Sequence, residues 1–171
     1  MPRICIRTLL SAGVIAGVSA AAARAEDQPA AAAPMAGHTT TVPAPAAAVA
    51  GGRTAAPKDA YAYIGWPNNG EIIRSTKFHV WFGLRGMGVA PAGTEVANTG
   101  HHHLLIDSPL PPLDAPIPND KEHLHFGAGQ TETMVELPPG KHTLQLLLGD
   151  GSHIPFDPPI MSPKITIYVR P

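Results

Sequence analysis

The sequence predicts an all-β fold, an immunoglobulin-like two-sheet antiparallel sandwich of about seven strands. From residue 60 onward, short runs rich in β-branched, aromatic and aliphatic residues alternate with Gly, Pro and Asn. The turn signals recur roughly every 8 to 12 residues, the spacing of small sandwich domains. No stretch sustains a helical period, so the apolar residues have no helix face to share.

The strands follow in order. "AYIGW", in the region of residues 60–66, is the first, and "WPNNGEIIRS" supplies the turn after it. In "KFHVWFGL" the period of two puts Phe78, Val80 and Phe82 on one face, leaving His79 and Trp81 on the other. "HHHLLID" has Leu104 and Ile106 as its core pair, which places His102 on their side and His101, His103, Leu105 and Asp107 opposite. In "EHLHF", Leu124 and Phe126 point inward, so His123 and His125 point outward. "FGAGQTET" has two glycines without the strand-to-helix context of a nucleotide loop, and reads as a tight turn before the strand "TETMVEL". "HTLQLLLGD" offers Leu144, Leu146 and Leu148 as a core face, and "KITIYV" closes the series. His142 stands in "PGKHTL" where sandwiches of this kind place a corner tyrosine, so it is either a hydrogen-bonded corner histidine or a ligand.

The N-terminus reads as an address. Arg3 and Arg7 precede an apolar run from Leu9 to Ala22, and "ARA" at Ala23–Ala25 is the small-x-small pattern of a cleavage site, so residues 1–25 are read as a signal peptide. The run falls short of the roughly 20 apolar residues of a bilayer span, so no stable membrane span is expected after cleavage. Removal of Arg3, Arg7 and Arg24 leaves 9 basic against 13 acidic residues, moving the net charge from −1 to −4. Such a balance gives no basic footprint for nucleic acid. The single cysteine, Cys5, leaves with the signal, so neither a disulfide nor a thiolate ligand remains. Residues 26–57 are Ala/Pro-rich and lack the large apolar side chains that offset ordering entropy, so they are expected to form a disordered tether before a domain at 58–171.

Five histidines, His101, His102, His103, His123 and His125, fall within a 25-residue span, and two His-x-His pairs project from the expected core. Cα atoms at i and i+2 on one strand lie roughly 6.5 Å apart, so two imidazoles can lean toward one ion at about 2.0–2.1 Å. The expected ligands are His101, His103, His123 and His125, with His102 or His153 as supplements. A set of imidazoles without thiolate suits copper or zinc. Met87, Met134 and Met161 are further soft donors or core filler, and Asp107 and Asp150 are candidate carboxylates behind the imidazoles. No serine nucleophile elbow, phosphate-cradling loop or acidic metal loop is present, and no carboxylate pair for glycoside hydrolysis can be picked out.

The succession "HHHLLID", "HLHFGAGQTET", "LPPGKHTLQLLLGD", "HIPFDPPIMS" resembles the bacterial family catalogued as domain of unknown function 4399, over Gly86 to about Val169. The resemblance implies a secreted or periplasmic bacterial protein and carries no activity with it. Its histidine pattern falls on His101, His102, His103, His123, His125, His142 and His153, and the chain departs from it at Phe156, where many relatives have a second histidine.

Together these observations lead to the expectation of a periplasmic or secreted, non-enzymatic module that holds copper or zinc. One alternative is a cell-envelope binding or scaffold module whose histidines form a structural network. The other is a metal-dependent hydrolase, which requires a pocket and a general base that the sequence does not point to.

Overall fold

The computed structural model describes residues 52–171. The expected signal peptide and residues 26–51 of the expected tether lie outside them. The strands are β1 (Tyr61–Trp66), β2 (Ile72–Ile73), β3 (Lys77–Arg85), β4 (Gly88–Val89), β5 (Thr99–Ile106), β6 (His123–His125), β7 (Glu132–Glu136), β8 (Gly140–Gly149) and β9 (Ile165–Val169). There is no helix among the described residues.

Two sheets form. The smaller has the order β1-β3-β7, and the larger runs β2-β9-β8-β5-β4, with β6 also paired to β5. All seven runs read from the sequence are strands, and the all-β sandwich is as expected. The two elements not foreseen, β2 and β4, are two residues long, and they pair in parallel with β9 and β5, so the pairing is not wholly antiparallel. Such short strands leave too little alternation in a sequence to be read there.

The core lies where alternation places it. Phe78, Val80 and Phe82 of β3 meet Leu104 and Ile106 of β5, Leu144, Leu146 and Leu148 of β8, and Phe126. On the other face of β3, Trp81 is exposed, and its indole N–H donates to His79 Nδ1 at 2.5 Å.

The larger sheet is covered on its outer face as well. Leu105 and Leu147 form a second small cluster with Ile117, flanked by Leu113 and Met161. Leu113 and Ile117 come from the Pro-rich connection between β5 and β6, which therefore supplies a lid of apolar side chains besides returning the chain. The consecutive apolar residues Leu146, Leu147 and Leu148, all fully buried, show why β8 breaks the polar-out pattern of a one-sided sheet.

The folded region also starts before residue 58. Ala55 pairs with Asp157 in a parallel bridge, and Ala56 packs against the main core. Alanine and threonine there carry no strand pattern, but backbone hydrogen bonds to the 150s loop hold them.

Candidate metal centre

Two strands and one loop supply a cluster of imidazoles on the outer face of the larger sheet. β5 and β6 are antiparallel neighbours, with His103 opposite His125, Leu104 opposite Leu124 and Leu105 opposite His123. On its other side β5 pairs with β8, with His101 opposite Gly149 and His103 opposite Leu147. After β8 the chain turns at Asp150, whose side chain accepts from the Ser152 and Ile154 amides, and His153 caps the cluster. His153 has a φ of 68°, a left-handed conformation that aims its side chain back over the sheet.

His101, His103, His125 and His153 make six ring-to-ring approaches, with centroids 4.8 to 6.0 Å apart. Four points so nearly equidistant form a tetrahedron, because a square would make two of the six separations about 1.4 times the other four. An ion held at about 2.0–2.1 Å by each nitrogen puts the centroids about 3.2 Å from it and about 5.2 Å from one another. The observed separations bracket that value. His103 Nε2 and His101 Nε2 are already 3.1 Å apart, close to the roughly 3.3 Å between ligand atoms of a tetrahedral zinc site. One donor atom each from His101, His103 and His125 lies within 4.8 Å of the others, a three-histidine grouping able to hold a metal ion; the His153 ring packs beside it but is not part of that donor-atom set.

Close approach at the cluster depends on glycine. A Cβ at Gly149 would stand 3.1 Å from His103 Nε2, and one at Gly127 would stand 2.7 Å from His125 Nε2. The space beside both rings is thus that of a missing side chain.

The histidines project away from the sandwich core, as alternation predicts, but they are not on an exposed face. His101 and His103 are fully buried. Their protonation is accordingly disfavoured. Burial, then the rings of His153 and His125, push His101 from the ordinary 6.5 down to about 4, against a partial pull from Asp150. Burial and the rings of His101, His125 and His153 push His103 to about 2. His125 is also lowered, by burial and by His153. Three nitrogens of the cluster, His101 Nδ1, His103 Nδ1 and His125 Nε2, are buried without a hydrogen-bond partner in the protein.

Two residues expected to join the cluster are elsewhere. His123 is diagonal to His103 at the far end of β6, where its Nδ1–H donates to Asp120 (2.9 Å) and its Nε2 meets Ser108 Oγ (3.1 Å). Both of its nitrogens are therefore engaged. His102 lies on the opposite side of the sheet, in the main core, with its ring 5.0 Å from that of Phe82. His153, expected only as a supplement, takes the fourth corner. No strand alternation marks that residue; the signal for it is "GDGSH", an Asp/Gly turn that reverses the chain directly after β8.

The remaining candidates separate by the same geometry. His142 is the corner histidine, bonded through Nδ1 to Asp107 Oδ2 (2.6 Å) and through Nε2 to the Pro138 carbonyl (2.9 Å). Asp107 also accepts from the Thr143 amide and is committed to this corner rather than to the cluster. Asp150 is the carboxylate that orders the His153 turn. Met87 packs against the main core, Met161 against the second cluster, and Met134 is exposed on the other sheet. Phe156, where the family resemblance implies a histidine, is a buried core residue.

Fold and site thus define a β-sandwich with a cluster of four imidazoles on the outer face of one sheet, two of them fully buried and two partly exposed. Residues 80–170 match the family described as Domain of unknown function (DUF4399), and the chain belongs to that family. Neither a curated protein nor a solved structure matches the chain. No helix among the described residues is long and apolar enough to cross a membrane.

Proposed function

We propose that the protein is a periplasmic or secreted metal-binding module whose site is formed by His101, His103, His125 and His153, and whose ion is zinc or copper. The observation that carries this reading is the convergence of donor nitrogens from His101, His103 and His125 within 4.8 Å of one another, with the His153 ring packed against all three at centroid distances of 4.8 to 6.0 Å. Neutral imidazole is the form that ligates, and burial keeps His101 and His103 in that form well below neutrality. A tetrahedral all-nitrogen set suits the d¹⁰ ions Zn(II) and Cu(I), whereas Cu(II) favours a tetragonal arrangement.

The scaffold reading, a histidine network without metal, accounts less well for the buried nitrogens. The His101–His103 contact satisfies one donor and one acceptor at most, leaving three buried ring nitrogens unpaired. Each such group costs roughly 1–3 kcal/mol. Two histidines outside the cluster, His123 and His142, use both ring nitrogens, whereas His102, in the main core, has neither ring nitrogen paired within the protein.

The test is metal content by elemental mass spectrometry, followed by calorimetric titration with Zn(II) and Cu(II) of the chain from residue 26. The same titrations are run on the His101→Ala, His103→Ala, His125→Ala, His153→Ala quadruple variant. The expected result is one tightly bound ion per chain, lost in the variant. Equal, weak binding by both proteins overturns the proposal.

A further inference from the structure

Three of the four imidazoles stand on strands fixed by β ladders, and the fourth stands on a turn. His153 is held in a left-handed backbone conformation that is unfavourable for a non-glycine residue. Its own backbone contributes two bonds, donating to the Asp150 carbonyl and accepting from the Ile117 amide, each at 2.9 Å. The Asp150 carboxylate, which accepts from the Ser152 and Ile154 amides, and the Asp150–Ile154 and Gly93–Gly151 backbone bonds hold the turn as well, and it has one more support.

That support comes from the N-terminal entry of the chain. Arg53 donates from Nε to the Pro155 carbonyl (3.1 Å), from Nη1 to Asp157 Oδ1 (3.1 Å), and from Nη2 to the Phe156 carbonyl. Thr54 Oγ1 donates to Asp150 Oδ2 at 2.7 Å. The Thr54 carbonyl accepts from the Asp157 amide, and the Ala56 amide donates to the Asp157 carbonyl, each at 2.8 Å. Every hydrogen bond made by residues 53–56 among the described residues therefore ends on residues 150–157, on one side or the other of His153. The guanidinium is mostly buried in this contact, its side chain 17% exposed, so its bonds are shielded from competing water.

We propose that Arg53 and Thr54 form a latch that positions His153, so that docking of this strap decides whether the cluster presents four imidazoles or three. The inference rests on the reading of the cluster as a metal centre and adds how that centre is governed. With the strap docked, the coordination shell is closed and the ion is kept. With the strap released, His153 loses its support, and the His101, His103 and His125 set leaves a coordination position open for water or for an accepting ligand. Arg53 touches no ring of the cluster in this arrangement; it acts through the turn.

A double-mutant cycle tests the latch, using Zn(II) titrations of the chain from residue 26 in four forms: parent, Arg53→Ala, His153→Ala and the double variant. Arg53→Ala is expected to lower zinc affinity by about 10- to 100-fold, the range for groups that orient a ligand, and to lower it no further once His153 is alanine. An equal loss in both backgrounds, or no loss in either, overturns the latch. Amide hydrogen exchange of the metal-free chain adds a readout independent of binding. Arg53→Ala should speed exchange at Ser152, His153 and Ile154 while the amides of β5 stay protected, and unchanged exchange at the three turn amides also overturns it. A parent chain that binds no zinc sinks the metal-centre reading, and the latch's metal role with it. That outcome is distinct from a failed latch, in which the parent binds and Arg53→Ala binds equally well.

Discussion

Two residues along one strand separate a histidine of the cluster from one that supports the fold. His123 and His125 share a face of β6, yet only His125 lies opposite His103, while His123 is carried past the cluster to Ser108 and Asp120. Their alanine variants should therefore part company. His125→Ala is expected to reduce metal affinity by more than about 100-fold, beyond what loss of an outer partner costs. His123→Ala is expected to leave affinity unchanged and to cost on the order of 1 kcal/mol of stability, because the buried Ser108 hydroxyl loses its imidazole partner. Titration calorimetry and urea unfolding of the two variants, side by side, decide the matter. A comparable loss of affinity in His123→Ala would place His123 in the site and remove the basis for His153 as the fourth ligand.

At the scale of elements, the site is a product of how close two strands and two turns approach one another. The turn after β6 comes so near the cluster that Gly127 lies against the His125 ring. Gly127→Ala should push that ring out of the tetrahedron while leaving the β5–β6 ladder intact, so metal affinity falls toward that of His125→Ala with little change in unfolding midpoint. If Gly127→Ala binds metal as the parent does, the ring has room to move and the geometry is less constrained than the structure indicates. The strands of this arrangement were legible in the sequence because alternation is a local property: Phe78, Val80 and Phe82 fall on the core face, and His101 and His103 fall opposite Leu104 and Ile106. The neighbours of each strand were not legible. Whether β6 pairs with β5 depends on a Pro-rich connection whose return path no local pattern encodes, and the choice of His125 over His123 follows from register, which pairing alone sets. The same limit explains Arg53 and Thr54, whose partners are 96 to 104 residues away, and the burial of Leu105 and Leu147 on the outer face of the larger sheet, where Leu113 and Ile117 pack against them.

For the molecule as a whole, burying several imidazoles ties stability to pH. In the unfolded chain each histidine protonates near 6.5, while in the fold His101 is held at about 4 and His103 at about 2, with His102 and His125 also lowered. Below pH 6.5 the unfolded state therefore binds more protons than the folded one, and stability must fall as pH falls. Above about pH 7.5 both states are neutral at these groups, and they contribute no slope. The shift of His101 alone corresponds to on the order of 3 kcal/mol, present above pH 6.5 and lost by about pH 4. That is a large part of the 5–15 kcal/mol typical of a domain. Urea unfolding of the metal-free protein should accordingly show a midpoint that is level from pH 8.5 to 7.5 and drops steadily from 6.5 to 5. Zinc at a thousandfold excess over its dissociation constant should add about 4 kcal/mol at pH 7.5, reversed by chelator, since an ion that binds only the fold stabilises it by mass action. A midpoint that stays level down to pH 5 would mean that His101, His102, His103 and His125 accept protons in the fold as readily as in the open chain. They would then be neither buried nor mutually repelling, and the closed tetrahedron would not describe the protein in solution.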